Sequence, residues 1–330
     1  MRRATRAVGN AVVSLLLLTA CGSGEPGEII RTPDERFQNL SGFEYEPHYL
    51  EITGLRIHFV DEGPENGMPV LLLHGEPSWS YLYRKMIPVI TAAGYRVVAP
   101  DLVGFGRSDK YVRMEDYSYQ MQVDVISELV DRIDLREATL FGQDWGGLVG
   151  LRVVAEAPDR FSGVIVANTG LPLPTGESSA PLPFLIWRFF SRWTPIFPAG
   201  RIVDAGTVTE LSEEVLEAYR APFPTRRHLA GARIMPSLVP IDPDDPAVPA
   251  TAKAWEVLRR WERPFLTAFS DSDPITRGLE TTFQSQVPGT RGQPHVTIEG
   301  AGHFLQEDKG EELGGLVVDF LRRLETPSGS

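Results

Sequence analysis

Short apolar runs alternate with helical patterns along most of this 330-residue chain, and this alternation restricts the possible folds more than any other feature. Short uninterrupted apolar runs are typical of strands that are buried on both faces. The runs lie at residues 70–73, 95–99, 139–141, 164–167, 265–269 and 296–298. Between them, apolar residues recur on one helix face, most clearly at Val125, Ile126, Leu129, Val130 and Ile133. We therefore predict an α/β fold with a mostly parallel sheet and helices on both of its sides.

A second, irregular region interrupts this alternation between about residues 171 and 265. The stretch is rich in proline and aromatic residues, and it has helical pieces such as residues 213–219 but no convincing strand. Ligands bind at the carboxyl ends of the strands in open α/β sheets, and we expect the insertion to lie over those ends. The predicted division is a core of residues 31–170 and 262–326 with an inserted helical cap of residues 171–261.

The first 20 residues have the features of a secretory signal. Three arginines precede an apolar run at residues 11–18, which is too short to cross a membrane. The single cysteine, Cys21, follows Leu18-Thr19-Ala20, and this tetrad resembles the lipobox of bacterial lipoproteins. We therefore predict a lipoprotein signal peptide at residues 1–20, lipidation of Cys21, and a flexible tether at residues 21–30.

This interpretation makes the protein a membrane-anchored lipoprotein of the cell envelope. Two alternatives remain, an ordinary secretory signal and a wrongly assigned start codon in front of a cytoplasmic enzyme. Loss of residues 1–20 removes three positive charges, so the formal net charge changes from -12 to -15. Such an acidic chain is a poor partner for nucleic acid. It is also a poor partner for anionic lipid, so we expect membrane contact through the lipid anchor alone.

The strongest chemical signal is Gly142-Gln143-Asp144-Trp145-Gly146-Gly147, which follows a predicted strand and precedes an apolar helical stretch. A strand, a tight turn with small neighbours and a helix form the nucleophile elbow, which exposes one side chain. Here that side chain is Asp144. A carboxylate attacks carbon without a base to activate it, so it suits displacement at an alkyl carbon better than acyl transfer. The alternative is that Asp144 only caps the following helix.

Two further candidates complete the order nucleophile, acid, histidine, which is the order in α/β-hydrolases. His303 lies in a glycine-rich loop after the last apolar run, and Asp273 follows the preceding run. The rival acid is Asp271, but a proline follows Asp273, as is usual at that turn. Asn168 occupies the other place where this fold can hold the acid, and an amide cannot supply the charge.

The stretch His74-Gly75-Glu76-Pro77-Ser78-Trp79 begins at the carboxyl end of another predicted strand. In this fold, the loop there and the residue after the nucleophile each supply a backbone N–H to an oxyanion hole. Those residues are Glu76 and Trp145, while His74 is expected to hold the loop by hydrogen bonds. No metal-binding spacing occurs, and the glycine-rich turn near residue 105 lacks the third glycine of a dinucleotide fingerprint. We therefore predict no metal site and no dinucleotide site.

Four stretches together resemble the haloalkane dehalogenases, in the subfamily whose acid follows the seventh strand and whose halide is held by two tryptophans. They are HGEPSWSYLYRKM (74–86), GQDWGG (142–147), EAYRAPFP (217–224) and AGHFLQE (301–307). The resemblance covers core and cap. It implies an α/β-hydrolase fold and hydrolysis of a carbon–halogen bond to alcohol, halide and proton without a cofactor. The implied partners are a small haloalkane and water, and we expect a monomer.

The resemblance also implies the roles of the catalytic residues. Asp144 is the nucleophile that forms an alkyl ester, His303 is the general base, and Asp273 is the acid that orients His303. The family is usually cytoplasmic, so the lipobox before Cys21 departs from its pattern.

Two tryptophans are expected to bind the departing halide. An indole N–H donates and cannot accept, so a pair of them suits an anion that has lost its water. The resemblance implies Trp145 as the first donor. Trp187 matches the position of the second donor in the cap, and Trp193 is its rival.

Two other functions remain open at this point. An epoxide hydrolase uses the same nucleophile, histidine and acid but needs tyrosine hydroxyls in the cap, for which Tyr219 is one candidate. A non-catalytic surface lipoprotein that acts as a binding module is the second, and it would have to keep a complete catalytic set without using it.

Overall fold

The apolar runs form the strands of a central sheet in the computed structural model, which describes residues 25–174 and 180–326. Residues 1–20 and Cys21, the predicted signal and lipidation site, lie outside the described residues. The strands are β1 (Ile29–Ile30), β2 (His48–Ile52), β3 (Leu55–Glu62), β4 (Pro69–Leu73), β5 (Arg96–Pro100), β6 (Lys110–Tyr111), β7 (Ala138–Gln143), β8 (Phe161–Ala167), β9 (Phe265–Ser270) and β10 (Val296–Ile298).

The helices cover the sheet and fill the insertion. They are α1 (Ile87–Ala92), α2 (Tyr119–Arg132), α3 (Trp145–Glu156), α4 (Leu182–Trp193), α5 (Ala199–Ala205), α6 (Glu213–Arg220), α7 (Ala230–Ile234), α8 (Val248–Leu258), α9 (Glu280–Gln286) and α10 (Leu305–Glu325). The helix predicted from Val125 to Ile133 is α2. Ser118 caps its amino terminus, since the Ser118 hydroxyl accepts from the N–H of Met121, and the helix buries its apolar face.

The eight-stranded sheet has the order β10-β9-β8-β7-β4-β5-β3-β2. Within it only β3 runs antiparallel to its neighbours, β2 and β5. Every residue of β7 is buried, because β7 lies between two parallel strands and beneath helices. The carboxyl ends of β4, β7 and β9 meet at one edge, so the loops that follow them are neighbours. This is the predicted mostly parallel α/β architecture.

The predicted helical insertion lies between β8 and β9. It contains α4 to α8, and its described residues form no strand. The limits 171 and 261 of the cap stay a prediction, since helices and loops continue to β9.

The predicted tether is wrong at its carboxyl end. Ile29 and Ile30 pair with β6, and the N–H of Gly27 donates to Asp116 at 3.1 Å. Glu28 forms an ion pair with Arg227 of the insertion. The glycine, serine and proline content of residues 22–28 predicts flexibility, but these contacts hold the chain from Gly27 onward.

A buried network of one ion pair and one tyrosine joins the core to the cap. Arg84 donates to both carboxylate oxygens of Glu307 in α10, at 2.5 and 2.7 Å. The hydroxyl of Tyr219 in α6 donates to the same carboxylate. All three side chains are buried. An unpaired charge buried here would destabilise the fold, so the three side chains must stay together. The network therefore couples the position of α6 to that of α10.

Candidate active site

Asp144 occupies a strained turn between β7 and α3. Its backbone has φ 50° and ψ -123°, which L-residues adopt rarely. A Cβ on Gly146 would lie 1.7 Å from the carbonyl oxygen of Leu73, so only glycine allows α3 to approach β4 this closely. The Asp144 side chain makes no capping hydrogen bond to α3. The turn therefore presents the carboxylate outward, and the capping interpretation does not describe this residue.

The Asp144 carboxylate is held from two sides. The backbone N–H of Glu76 donates to Oδ1 at 2.8 Å, and Nε2 of His303 lies 3.5 Å from Oδ2. The hydroxyl of Thr169 donates to the carbonyl of Asp144 at 2.7 Å. The carboxylate is thus oriented while it remains partly exposed to the space above the sheet.

Asp273 faces the other nitrogen of His303. Its Oδ2 lies 2.9 Å from Nδ1, and its side chain is completely buried. Burial alone raises the pKa of this carboxyl, but the imidazole charge and the hydrogen bonds from His303, Thr276 and Ile275 lower it to about 2. Asp273 is therefore ionised and can orient the imidazole.

The rival acid Asp271 has a different task. Its carboxylate accepts from the backbone N–H of Gly300, at 3.1 Å to each oxygen, and from the hydroxyl of Ser272. The structure records no contact between Asp271 and the imidazole among the described residues. Asp271 stabilises the loop before His303, and Asp273 is the carboxylate at hydrogen-bond distance from the imidazole.

His303 stands between two carboxylates. Burial lowers its pKa, but the charges and hydrogen bonds of Asp273 and Asp144 outweigh burial and raise the pKa to about 10. The imidazole is therefore protonated at neutral pH as long as both carboxylates are ionised. Neutralising Asp144 removes one of the two stabilising charges.

Two amide side chains fix the loop that carries His303, and the sequence analysis missed this role. Asn168 donates to the carbonyls of Gly302 and His303, at 2.9 and 3.1 Å. Gln143 also donates to the carbonyl of His303 at 3.1 Å. The sequence feature that could have indicated this role is their position directly at the ends of β7 and β8. The sequence alone did not reveal which loop would meet those strand ends.

The proposed oxyanion donors lie beside the carboxylate. The N–H of Glu76 already points at Asp144, and Trp145 begins α3 immediately after it. The Glu76 side chain is buried, and burial together with the Asp144 charge raises its pKa well above the ordinary value, while His303 and Trp187 oppose this. His74 is buried below the loop. Its Nε2 accepts from the N–H of Leu102 at 3.0 Å, which agrees with the expected structural role.

An apolar cavity of about 900 Å³ lies over the carboxylate. Core and cap both contribute to its wall, which includes Trp145, Leu148, Phe184, Trp187 and His303. Most of this wall is apolar, so the cavity suits a small apolar ligand with one reacting atom near Asp144.

The two candidate cap tryptophans lie on different sides of α4. Trp187 contributes to the cavity wall and is close enough to the Glu76 carboxyl to lower its pKa. Trp193 is 62% exposed on the outer surface. The geometry therefore favours Trp187 over Trp193 as the second indole near the reacting carbon.

Tyr219, the candidate acid for epoxide opening, is not directed at Asp144. Its side chain is fully buried, and its hydroxyl donates to Glu307. The described residues also contain no cluster of histidine, cysteine, aspartate and glutamate that could hold a metal ion. No helix in residues 25–174 and 180–326 is long and apolar enough to cross a bilayer.

Comparisons with known proteins agree with this architecture. Residues 68–310 match the family model of the alpha/beta hydrolase fold. The chain is 53% identical over 299 residues to a haloalkane dehalogenase of Psychrobacter cryohalolentis, covering 89% of this chain and 98% of that relative. It is 50% identical over 301 residues to a haloalkane dehalogenase of Mycolicibacterium paratuberculosis, covering 90% and 99% of the two chains.

Solved structures of haloalkane dehalogenases are also similar to this chain. The tetrameric haloalkane dehalogenase DpaA from Paraglaciecola agarilytica superposes with a TM-score of 0.81 at 35% identity, over 88% of this chain and 97% of that one. The haloalkane dehalogenase DatA from Agrobacterium tumefaciens has a TM-score of 0.73 at 26% identity, over 86% and 98%. On fold, sequence identity and coverage together, this chain belongs to the haloalkane dehalogenase family, within the α/β-hydrolase fold.

Proposed function

We propose that this protein hydrolyses the carbon–halogen bond of small haloalkanes through an ester on Asp144. The observation that carries the proposal is a carboxylate on the elbow, facing an apolar cavity and backed by the His303–Asp273 pair. Serine or cysteine nucleophiles need a base to activate them, whereas this carboxylate is ready to attack an alkyl carbon.

In the first step, an oxygen of Asp144 attacks the carbon that carries the halogen. A carbon–oxygen bond forms, the carbon–halogen bond breaks, and its electron pair leaves with the halide. The indole N–H groups of Trp145 and Trp187 stabilise that anion in a cavity where it has little water. This interaction is stronger with the departing halide than with the neutral substrate, so it lowers the barrier.

In the second step, water hydrolyses the ester. Esterification removes the charge of Asp144, and the pKa of His303 falls because one of its two stabilising carboxylates is gone. The imidazolium then releases its proton to solvent, which is the acid product of the reaction. The neutral imidazole, oriented by Asp273, takes a proton from water as the oxygen attacks the ester carbonyl, and it gives this proton to the alkoxide that leaves as the alcohol. The N–H groups of Glu76 and Trp145 hold the oxyanion until the alcohol leaves and Asp144 is regenerated.

Halide release tests this proposal against epoxide hydrolysis. The purified chain is incubated with 1-bromobutane and, separately, with styrene oxide, and bromide, pH and diol are measured. We expect bromide release with an equal amount of acid, and neither with Asp144→Asn. Turnover of styrene oxide without bromide release would contradict the proposal and would show that the activity is epoxide hydrolysis.

We also propose that Cys21 carries a lipid and anchors the enzyme to a membrane. The support is the lipobox tetrad after a short apolar run. Mass spectrometry of the mature amino terminus tests it: we expect a peptide that begins at a diacylglyceryl-modified Cys21. A mature chain that begins before Cys21, or an unmodified Cys21, would contradict it.

A further inference from the structure

Exposed apolar side chains are concentrated on one helix of the cap. Among the described residues, ten large apolar side chains are exposed, and seven of them lie between residues 182 and 196. Leu182, Phe189 and Trp193 of α4 are 68%, 68% and 62% exposed, and Ile196 just after the helix is 72% exposed. Scattered exposed residues need no explanation, but a contiguous apolar surface marks a site of interaction.

Helix α4 has two distinct faces. Phe184 and Trp187 turn toward the cavity, and the buried hydroxyl of Ser191 donates to the carbonyl of Arg233 at 2.9 Å. On the other side, Leu182, Ile186, Phe189 and Trp193 follow the 4, 3, 4 spacing of one helix face. We call these four residues the outer face of α4. The inner side of α4 therefore contacts the rest of the protein, while the outer face is exposed to solvent.

The charge around the outer face differs from that of the whole chain. The chain has a formal net charge of -12, but residues 180–203 contain three arginines and no aspartate or glutamate. Arg201 pairs with Asp204 and Glu213. Arg188 and Arg192 of α4 have no acidic partner among the described residues. A helix with phenylalanine, tryptophan and leucine on one face and arginine beside it is typical of a segment that lies in a membrane interface.

The amino-terminal chain also emerges on the cap side. Glu28 pairs with Arg227, which lies in the short turn immediately before α7. Arg233 at the end of α7 donates to the carbonyls of Arg192 and Thr194, at 2.9 and 2.7 Å. One continuous segment of the cap thus contacts both the amino-terminal strand and the end of α4. Cys21 lies seven residues before Glu28. A chain of seven residues spans at most about 25 Å.

We propose that the outer face of α4 lies in the headgroup region of an anionic phospholipid bilayer. Twelve residues form a helix of about 18 Å, which is too short to span a membrane and must lie along its surface. The tryptophan and phenylalanine rings enter the interface, and Arg188 and Arg192 meet lipid phosphates. This proposal differs from the expectation that the lipid anchor alone makes membrane contact. The inference does not depend on the proposed reaction, and its test does not measure activity.

Fluorescence quenching by doxyl-labelled lipid locates α4 directly. The full chain is reconstituted in vesicles of phosphatidylcholine and phosphatidylglycerol in equal parts, with and without 5-doxyl phosphatidylcholine. We expect lipid-dependent quenching of tryptophan emission that is lost in Trp193→Phe and kept in Trp261→Phe, because Trp261 is buried. Quenching that survives Trp193→Phe, or no quenching at all, would overturn the proposal.

Vesicle binding provides a second measurement that does not depend on the anchor. In a Cys21→Ser background, we expect Ile186→Ser with Phe189→Ser to weaken vesicle binding by about tenfold or more, since two apolar side chains no longer enter the interface. Leu279→Ser is the matched control, because Leu279 is an exposed apolar residue outside α4. Equal binding of both variants contradicts the proposal. So does a lipid-free oligomer that dissociates in Phe189→Ser, since a second copy then covers this face.

Discussion

At the scale of single residues, the site depends on one imidazole between two carboxylates. His303 lies 2.9 Å from Asp273 and 3.5 Å from Asp144, and the two charges raise its pKa to about 10 although burial opposes this. The proposed nucleophile and the proposed base are therefore coupled by charge. In the proposed mechanism, formation of the ester on Asp144 lowers the pKa of the base that then hydrolyses it.

Asp144→Asn tests this coupling. Asparagine tolerates a positive φ, so we expect the variant to fold. The pKa of His303 should fall below about 10, because the neutral amide no longer favours the imidazolium. NMR titration of the imidazole measures this shift, and halide release should be abolished at the same time. An unchanged pKa would mean that Asp273 alone sets the protonation of His303.

Asp273→Asn compared with Asp271→Asn tests which carboxylate orients the base. Loss of the buried charge at Asp273 should slow hydrolysis of the ester by about 10²- to 10⁴-fold, while ester formation continues. Rapid-quench mass spectrometry should then detect the alkylated chain. Asp271→Asn retains the His303–Asp273 contact, and we expect turnover close to wild type. The reverse result would assign the acid to Asp271.

At the scale of secondary structure, the elbow requires α3 to press against the end of β4. The close approach of Gly146 to Leu73 leaves no room for a Cβ, and the contact involves backbone that cannot move like a side chain. Helix α10 offers the opposite case at Gly315, where a Cβ would meet nothing within 4 Å.

Gly146→Ala and Gly315→Ala should therefore have opposite effects on the free energy of unfolding. We expect Gly146→Ala to lower it by about 3 kcal/mol, because α3 must shift from β4. Gly315→Ala should raise it by about 0.5–1 kcal/mol, since alanine loses less backbone entropy in a helix. Urea denaturation followed by circular dichroism measures both. A fully stable Gly146→Ala would show that the elbow adjusts more easily than this packing allows.

Helix α4 separates the cavity from the surface, and its two tryptophans report on the two sides. Trp187→Phe should weaken quenching of intrinsic fluorescence by chloride, because the proposed indole donor to the halide, which lines the cavity, is lost. Trp193→Phe is the control and should retain that quenching. Chloride titration of the two variants distinguishes them, and a loss of quenching only in Trp193→Phe would move the halide site to the outer side.

At the scale of the whole molecule, core and cap are held together by the buried network of Arg84, Glu307 and Tyr219. Its members come from the loop after β4, from α10 and from α6, so it connects regions that are far apart in sequence. A partner removed from such a pair leaves a buried charge without compensation.

Glu307→Gln should lower the free energy of unfolding by about 3–5 kcal/mol, since the Arg84 cation stays buried without its carboxylate. Asp159→Asn is the control, because Asp159 pairs with Arg263 at the exposed surface. We expect the control to change stability by less than about 1 kcal/mol. Denaturant unfolding of both variants is the measurement, and equal stability of the two would show that the buried pair contributes no more than a surface pair.

Much of this molecule follows from the sequence because its signals are local. Hydrophobic periodicity depends on neighbours along the chain, so α2 and the six parallel strands of the predicted runs lie where the sequence places them. The limits of the helical insertion stay a prediction. The α/β fold and the family were predicted correctly, since the glycines around Asp144 and the loop of His303 form contiguous motifs. The catalytic and halide-binding roles stay predictions, as do the signal and the lipid on Cys21.

Contacts between distant segments were decided only in the tertiary structure. Sequence favours Asp273 over Asp271, two residues away, only through the proline that follows it, whereas the approach of the His303 loop puts Asp273 at hydrogen-bond distance from the imidazole. It leaves Trp187 and Trp193 as rivals, and the orientation of α4 selects which indole faces the cavity. The roles of Asn168 and Gln143, and the pairing of Ile29 with Tyr111, likewise depend on segments that meet only after folding. A local pattern determines what each segment becomes, whereas long-range packing determines which of its side chains meet.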